Sequence, residues 1–180
     1  VKKEKDSSRT ASTAFFLSLG IGILIGVFGT IFHEPLINLL GSTDTIAPYA
    51  RIYLYYILLG TPFIVTSFVL NNILRYEGKA ALAMIGIITG GVLNIGLDPL
   101  FMFVFKMGIA GAGLATCLSQ IISFLLLLSV FLLKKTQTRL SVRNIDFSLR
   151  TIGNICSTGL TRMLRQGLTS VATIILNEQA

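Results

Sequence analysis

GGVLNIGLDPLFMFVFKMGIAGAGLATCLSQ, residues 90–120, joins two long apolar segments and sets an Asn, an Asp and a Thr inside them. An ionised carboxylate placed at the centre of a lipid-soluble helix costs about 2.5–3.5 kcal/mol on insertion scales. Asp98 is therefore the first residue to suspect of function. Asn94 lies four residues before it, so the two side chains project from one face of a helix, one turn apart. Pro99 follows at once; it has no N–H, which leaves the carbonyl of Ile95 without its usual donor.

Working outward, the composition settles the class of protein. Of 180 residues, 53% are hydrophobic and only 13% charged, against roughly 25% charged in soluble domains. The sequence is that of an integral membrane protein, an all-α polytopic helix bundle. The formal charge of +7 could point to nucleic acid, but position matters more than the total. Eleven of the 15 Lys and Arg fall in three alternate connections: residues 1–10, 75–79 and 134–150. That alternation is the positive-inside pattern of cytoplasmic loops. The basicity reports topology in a cell (plasma) membrane, with lipid and not nucleic acid as the surrounding partner. Cys117 and Cys156 stand apart in apolar segments, so both read as small packing residues rather than a disulfide or zinc site. Residues 1–10 are polar and the run after them is too long for the h-region of a signal peptide; with no initiator Met and an end at NEQA straight after an apolar run, the chain reads as an internal fragment.

About five spans are expected. The first, 11–32, carries Gly22 and Gly26 as a small-xxx-small pair suited to close helix approach, and ends at His33, Glu34 and Pro35. The connection from Gly41 to Pro48 has no Lys or Arg, as an outer loop should. The second span, 50–75, has Tyr49, Tyr53 and Tyr56 at helical spacing as an expected aromatic belt, and Pro62 midway. In its cytoplasmic half, Ser67 and Asn71 either line a cavity or hydrogen bond to neighbouring helices. The third span, 80–105, presents Gly86, Gly90 and Gly91 as a thin face. A short outer turn at 106–108 makes the fourth span, 111–133, its antiparallel neighbour. Thr116, Ser119, Gln120 and Ser123 put one polar stripe on that fourth helix. At 1.5 Å per residue, Asp98 and Thr116 both lie roughly 8–11 Å below the outer surface, so they can share a site. Carboxylate, amide and hydroxyl oxygens are hard ligands that suit a proton or a small alkali cation. Residues 135–150 form a basic cytoplasmic linker, and a fifth span, 151–180, carries Arg162 and Arg165 on one face.

The succession YLYYILLGTPF, LRYEGKA, NIGLDPLF, GIAGAGLATCLSQ and GLTRMLRQGLTSVATIILN resembles the multidrug and toxic compound extrusion (MATE) family, nearly throughout and in the right order. The resemblance implies a twelve-helix, two-lobe transporter. Residues 1–134 would supply the third to sixth spans of the N-terminal lobe, 135–150 the inter-lobe linker, and 151–180 the first helix of the C-terminal lobe. It implies cation-coupled (H⁺ or Na⁺) efflux of amphiphilic organic compounds by alternating access, with no cofactor beyond the transported ion and a monomeric full-length form. The implied coupling site is Asn94, Asp98 and Thr116, with Gln120, Asn71 and Arg165 as cavity-lining candidates. An acidic residue of the family's first span, which this fragment lacks, would complete it. Thr161, Arg162 and Arg165 depart from members with Pro and acidic residues on the seventh span, which argues against a proton site there. A flippase for lipid-linked precursors is the alternative within the same superfamily. A membrane-embedded enzyme using Asp98 and His33 fares badly, since nothing relates the two residues, and a passive scaffold would leave Asp98 replaceable.

Overall fold

The computed structural model describes residues 2–39, 45–133, 136, 138 and 153. Five α-helices account for most of them: α1 (Lys2–Ile31), α2 (His33–Leu39), α3 (Ala47–Tyr76), α4 (Ala80–Pro99) and α5 (Ile109–Leu132). A π-helical segment, Leu100–Val104, continues α4. Four stretches are long and apolar enough to cross a bilayer: Ser7–Ile31, Ala47–Tyr76, Ala80–Val104 and Ile109–Leu132. The shortest has 24 residues, enough for a hydrocarbon core of about 30 Å. The linker and fifth span expected at 135–150 and 151–180, with Arg162 and Arg165, lie outside the described residues apart from Thr136, Thr138 and Gly153.

Two elements differ from expectation. His33, Glu34 and Pro35 do not simply end the first span; they open the short helix α2, whose Glu34 sits in its first turn. Seven residues hold too little apolar periodicity to register as a helix in the sequence. The third span also changes its winding after Pro99, where five large apolar residues continue as π-helix and Phe105 N–H reaches back to Leu100 O at 3.0 Å.

The helices lie side by side in the order α1, α3, α5, α4, with α3 also touching α4. Glycines set the close crossings. On α1, a Cβ at Gly22 would stand 2.7 Å from Pro62 Cα, and one at Gly26 2.9 Å from Leu58 O. Pro62 removes the N–H that would normally bond the Leu58 carbonyl, and Gly26 is the residue that fits over it. The small-xxx-small pair thus has its partner in α3. On α4, Gly86 packs against Leu127 and Gly90 against Ser123, both of α5, whereas Gly91 meets no atom within 4 Å and is not part of that face.

The core gathers at the end of the bundle that holds the turn at 77–79. Phe15, Leu70, Leu74, Ala83, Phe124, Leu127 and Phe131 form one buried cluster drawn from all four. Asn71 ties α3 to α4 beside it, its side-chain amide donating to Ala83 O at 2.7 Å. Ser123 does the same from α5, donating to Gly86 O at 2.7 Å. Toward the opposite end, α4 is thinly covered, with Ile95 74% exposed.

Candidate functional site

The outer halves of α4 and α5 hold the polar cluster. Asn94 and Asp98 are one helical turn apart on α4, and the Asn94 Nδ2 amide donates to Asp98 Oδ1 at 3.2 Å. The same nitrogen donates to Thr116 Oγ1 on α5 at 3.3 Å. Thr116 in turn donates its hydroxyl hydrogen to Ala112 O at 3.0 Å, one turn back on its own helix. All three side chains are half-buried. The structure brings together the three residues that the spacing and turn length place at one depth.

Donor and acceptor roles in this arrangement are fixed by chemistry. A threonine hydroxyl has one hydrogen and two lone pairs. With its hydrogen on Ala112 O, Thr116 offers oxygen to Asn94, and Asn94 has both amide hydrogens inside the cluster. Asn94 Oδ1 and Asp98 Oδ2 take no part in these three bonds. Among the described residues no group of three His, Cys, Asp or Glu side chains comes together; the side chains that these bonds link are one carboxylate, one amide and one hydroxyl.

The other candidates stand elsewhere. Asn71 is 6% exposed and engaged with the Ala83 carbonyl, and Ala83 lies eleven residues before Asn94, roughly 16 Å along the helix axis. Of its two expected roles, the bond to a neighbouring helix is the one present. Ser67, one turn before it, is buried with no hydrogen-bond partner for its hydroxyl among the described residues. Gln120 is half-buried on α5, one turn beyond Thr116. The polar stripe it belongs to faces α4 at Thr116 and Ser123, while Ser119, fully buried, bonds back to Ala115 O at 2.7 Å. Arg165 lies outside the described residues. Tyr56 leaves the expected aromatic belt: its ring packs on Gly113 of α5, where a Cβ would stand 2.9 Å from Cδ2. At the outer surface Glu34 of α2 accepts from Arg51 of α3 at 2.8 Å and lies 3.4 Å from His33 Nε2.

The signal that sequence reasoning passed over is the pairing of two spacings. Gly86 and Gly90 repeat every four residues on α4, and Ser119, Ser123 and Leu127 every four on α5. Two such rows facing each other make a closely packed antiparallel pair.

Four apolar helices with a carboxylate, an amide and a hydroxyl joined between two of them define a multi-pass helical membrane protein, one with polar chemistry inside its spans. The MatE family model matches residues 1–100, more than half of the chain, and the chain belongs to the MatE family. It is 29% identical over 177 residues to the multidrug export protein MepA of Staphylococcus saprophyticus, covering 96% of this chain and 39% of that protein. A multidrug resistance MATE family transporter of the MOP superfamily, solved in an outward-facing conformation, matches 98% of this chain and 40% of its own, with a TM-score of 0.87 and 30% identity. A MOP superfamily transporter from Pyrococcus furiosus, whose binding pocket of reverse polarity suggests a different function, matches 97% of this chain and 39% of its own with a TM-score of 0.82 and 30% identity. The chain spans about two fifths of the length of these relatives. It is a multi-pass protein of the bacterial cell membrane.

Proposed function

We propose that the full-length protein is a multidrug efflux antiporter, which exports amphiphilic organic compounds in exchange for H⁺ or Na⁺. Support for the cargo class comes from the multidrug export relatives. Support for the coupling comes from one observation, the Asn94 amide that joins Asp98 to Thr116 across two spans. An ionised Asp98 is costly in the membrane, and a proton or alkali cation would neutralise it. Asn94 and Thr116 hold the carboxylate at a fixed depth and rotamer, so that ion binding at Asp98 draws on both helices. Alternating access then follows from a rocking of lobes around a site near their interface, with the ion favouring one of the two states by its differential affinity.

The test is Asp98→Asn in the intact protein. Dye efflux driven by separately imposed pH and Na⁺ gradients should be lost, with the protein still present in the membrane at wild-type amount. Undiminished gradient-driven efflux would remove Asp98 from the coupling site. A second reading, a flippase for lipid-linked precursors, draws on the likeness to the Pyrococcus furiosus transporter of reversed pocket polarity. It predicts accumulation of lipid-linked intermediates, with unchanged dye resistance, when the gene is deleted.

A further inference from the structure

We propose that Gly111 and the π-helical segment Leu100–Val104 form a register clamp that sets the ion affinity of the Asn94–Asp98–Thr116 cluster. Gly111 is the positioning residue of that clamp. The inference rests on the reading of the cluster as the coupling site.

The segment begins two residues after Asp98, and π-helical insertions of this kind occur frequently at functional sites. Its carbonyls are pinned by the outer turn. Phe105 N–H bonds Leu100 O at 3.0 Å, Met107 N–H bonds Phe101 O at 3.1 Å and Gly108 N–H bonds Met102 O at 3.4 Å. The turn reaches back this far by using positive φ at Lys106 (54°) and Gly108 (57°). Gly111, in the first turn of α5, lies directly on the pinned backbone. A Cβ there would stand 2.7 Å from Phe101 C, 2.8 Å from Phe101 O and 2.9 Å from Met102 N. All three are backbone atoms, none the end of a flexible side chain, and Phe101 O is already held by the turn's Met107 N–H. On its other side α5 is bounded by the Tyr56 ring at Gly113.

Five residues beyond Gly111 is Thr116, whose hydrogen bond from Asn94 is already long at 3.3 Å. Ordinary carbon contacts begin at about 3.5 Å, so a methyl group at Gly111 asks for a displacement of roughly 0.8 Å at the start of α5. Passed along the helix, even half of that separates Asn94 from Thr116 beyond hydrogen-bond reach. Asp98 then loses its tie to α5 while keeping its place on α4.

The experiment uses the full-length protein in proteoliposomes, with dye transport measured across a series of H⁺ and Na⁺ concentrations. Gly111→Ala should raise the half-saturating concentration of the coupling ion roughly three- to tenfold, the worth of one lost hydrogen bond, with the maximal rate retained. Adding Asn94→Gln, whose longer side chain spans the widened gap, should recover part of that shift in the Gly111→Ala background and bring no gain alone. Gly91→Ala, on the same helix as Asn94 and Asp98 but with no atom within 4 Å of the added Cβ, should leave the half-saturating concentration unchanged. Deleting Val104, which shortens the π segment by one residue, should reproduce the Gly111→Ala shift and carries the test if that variant does not reach the membrane. Wild-type ion dependence in Gly111→Ala, with coupling lost in Asp98→Asn, overturns the clamp alone. Coupling retained in Asp98→Asn overturns the site beneath it. Absence of both Gly111→Ala and the Val104 deletion from the membrane makes the contact a folding requirement, and overturns the clamp as well.

Discussion

Asn71 and Asn94 are the same residue type on neighbouring spans, and the surroundings give them different work. Asn94 donates to two side-chain oxygens, one of them able to ionise, in a half-buried position near the outer surface. Asn71 donates to a backbone carbonyl that is already part of the α4 ladder, beside the buried apolar cluster. Interhelical bonds of this kind in membrane proteins contribute about 0.6 kcal/mol on average and at most about 1.7. Asn71→Ala should therefore lower the thermal unfolding midpoint of the detergent-solubilised protein, through a loss on the order of 1 kcal/mol. Its coupling-ion dependence in transport should stay at the wild-type value. A shift in that dependence would place Asn71 in the coupling path after all. The contrast also shows what could be read in advance. Four-residue spacing puts Asn94 and Asp98 on one face, and the short turn at 106–108 brings Thr116 to their depth. The partner of Asn71 is a carbonyl, which every residue possesses, so no pattern in the sequence distinguishes that bond from a cavity-facing side chain.

Among the elements, the α1–α3 crossing is where sequence and packing explain each other most fully. Gly20, Gly22, Gly26 and Gly29 all lie in α1, but they are not equivalent. Gly22 abuts Pro62 Cα and Gly26 abuts the Leu58 carbonyl, while Gly20 has no atom within 4 Å of its missing Cβ. Gly22→Ala should force the two helices apart and lower stability by about 1–3 kcal/mol, the usual cost of overpacking. Gly20→Ala should be neutral or stabilise by up to about 1 kcal/mol, because an open helical glycine carries only the backbone-entropy penalty. Thermal unfolding of the two variants side by side separates them, and equal behaviour would mean that the crossing is not controlled at Gly22. The spans themselves were legible from length and apolar content, and the small-xxx-small spacing marked a crossing helix without saying which. What lay beyond the sequence were α2 and the π segment. The first is too short for its periodicity to register. The second has no residue signature of its own, because the winding is set by Pro99 at one end and the turn carbonyls at the other.

At the scale of the whole molecule, charge and packing divide the bundle into two unlike ends. One end carries the buried apolar cluster and the turn at Glu77, whose carboxylate lies 3.3 Å from Lys79 Nζ and accepts the Thr138 N–H at 2.8 Å. The other carries the polar cluster and two cations, Arg51 and Lys106, that the positive-inside rule would rather not place outside. Arg51 is paired with Glu34 at 2.8 Å, which cancels its charge locally and leaves Lys106 against Arg75 and Lys79 of the turn at the opposite end. The orientation that follows can be measured. With Cys117 and Cys156 replaced by Ser, a cysteine at Met107, in the turn beyond the π segment, should react with a membrane-impermeant maleimide in intact cells. A cysteine at Ala80, at the exposed start of α4, should react only after the cells are permeabilised. The reverse pattern would invert the bundle and put Asp98 within roughly 8–11 Å of the cytoplasm. A proton or sodium ion entering from outside would then meet the closed, apolar end first, and would have to cross the whole packed core before reaching its carboxylate.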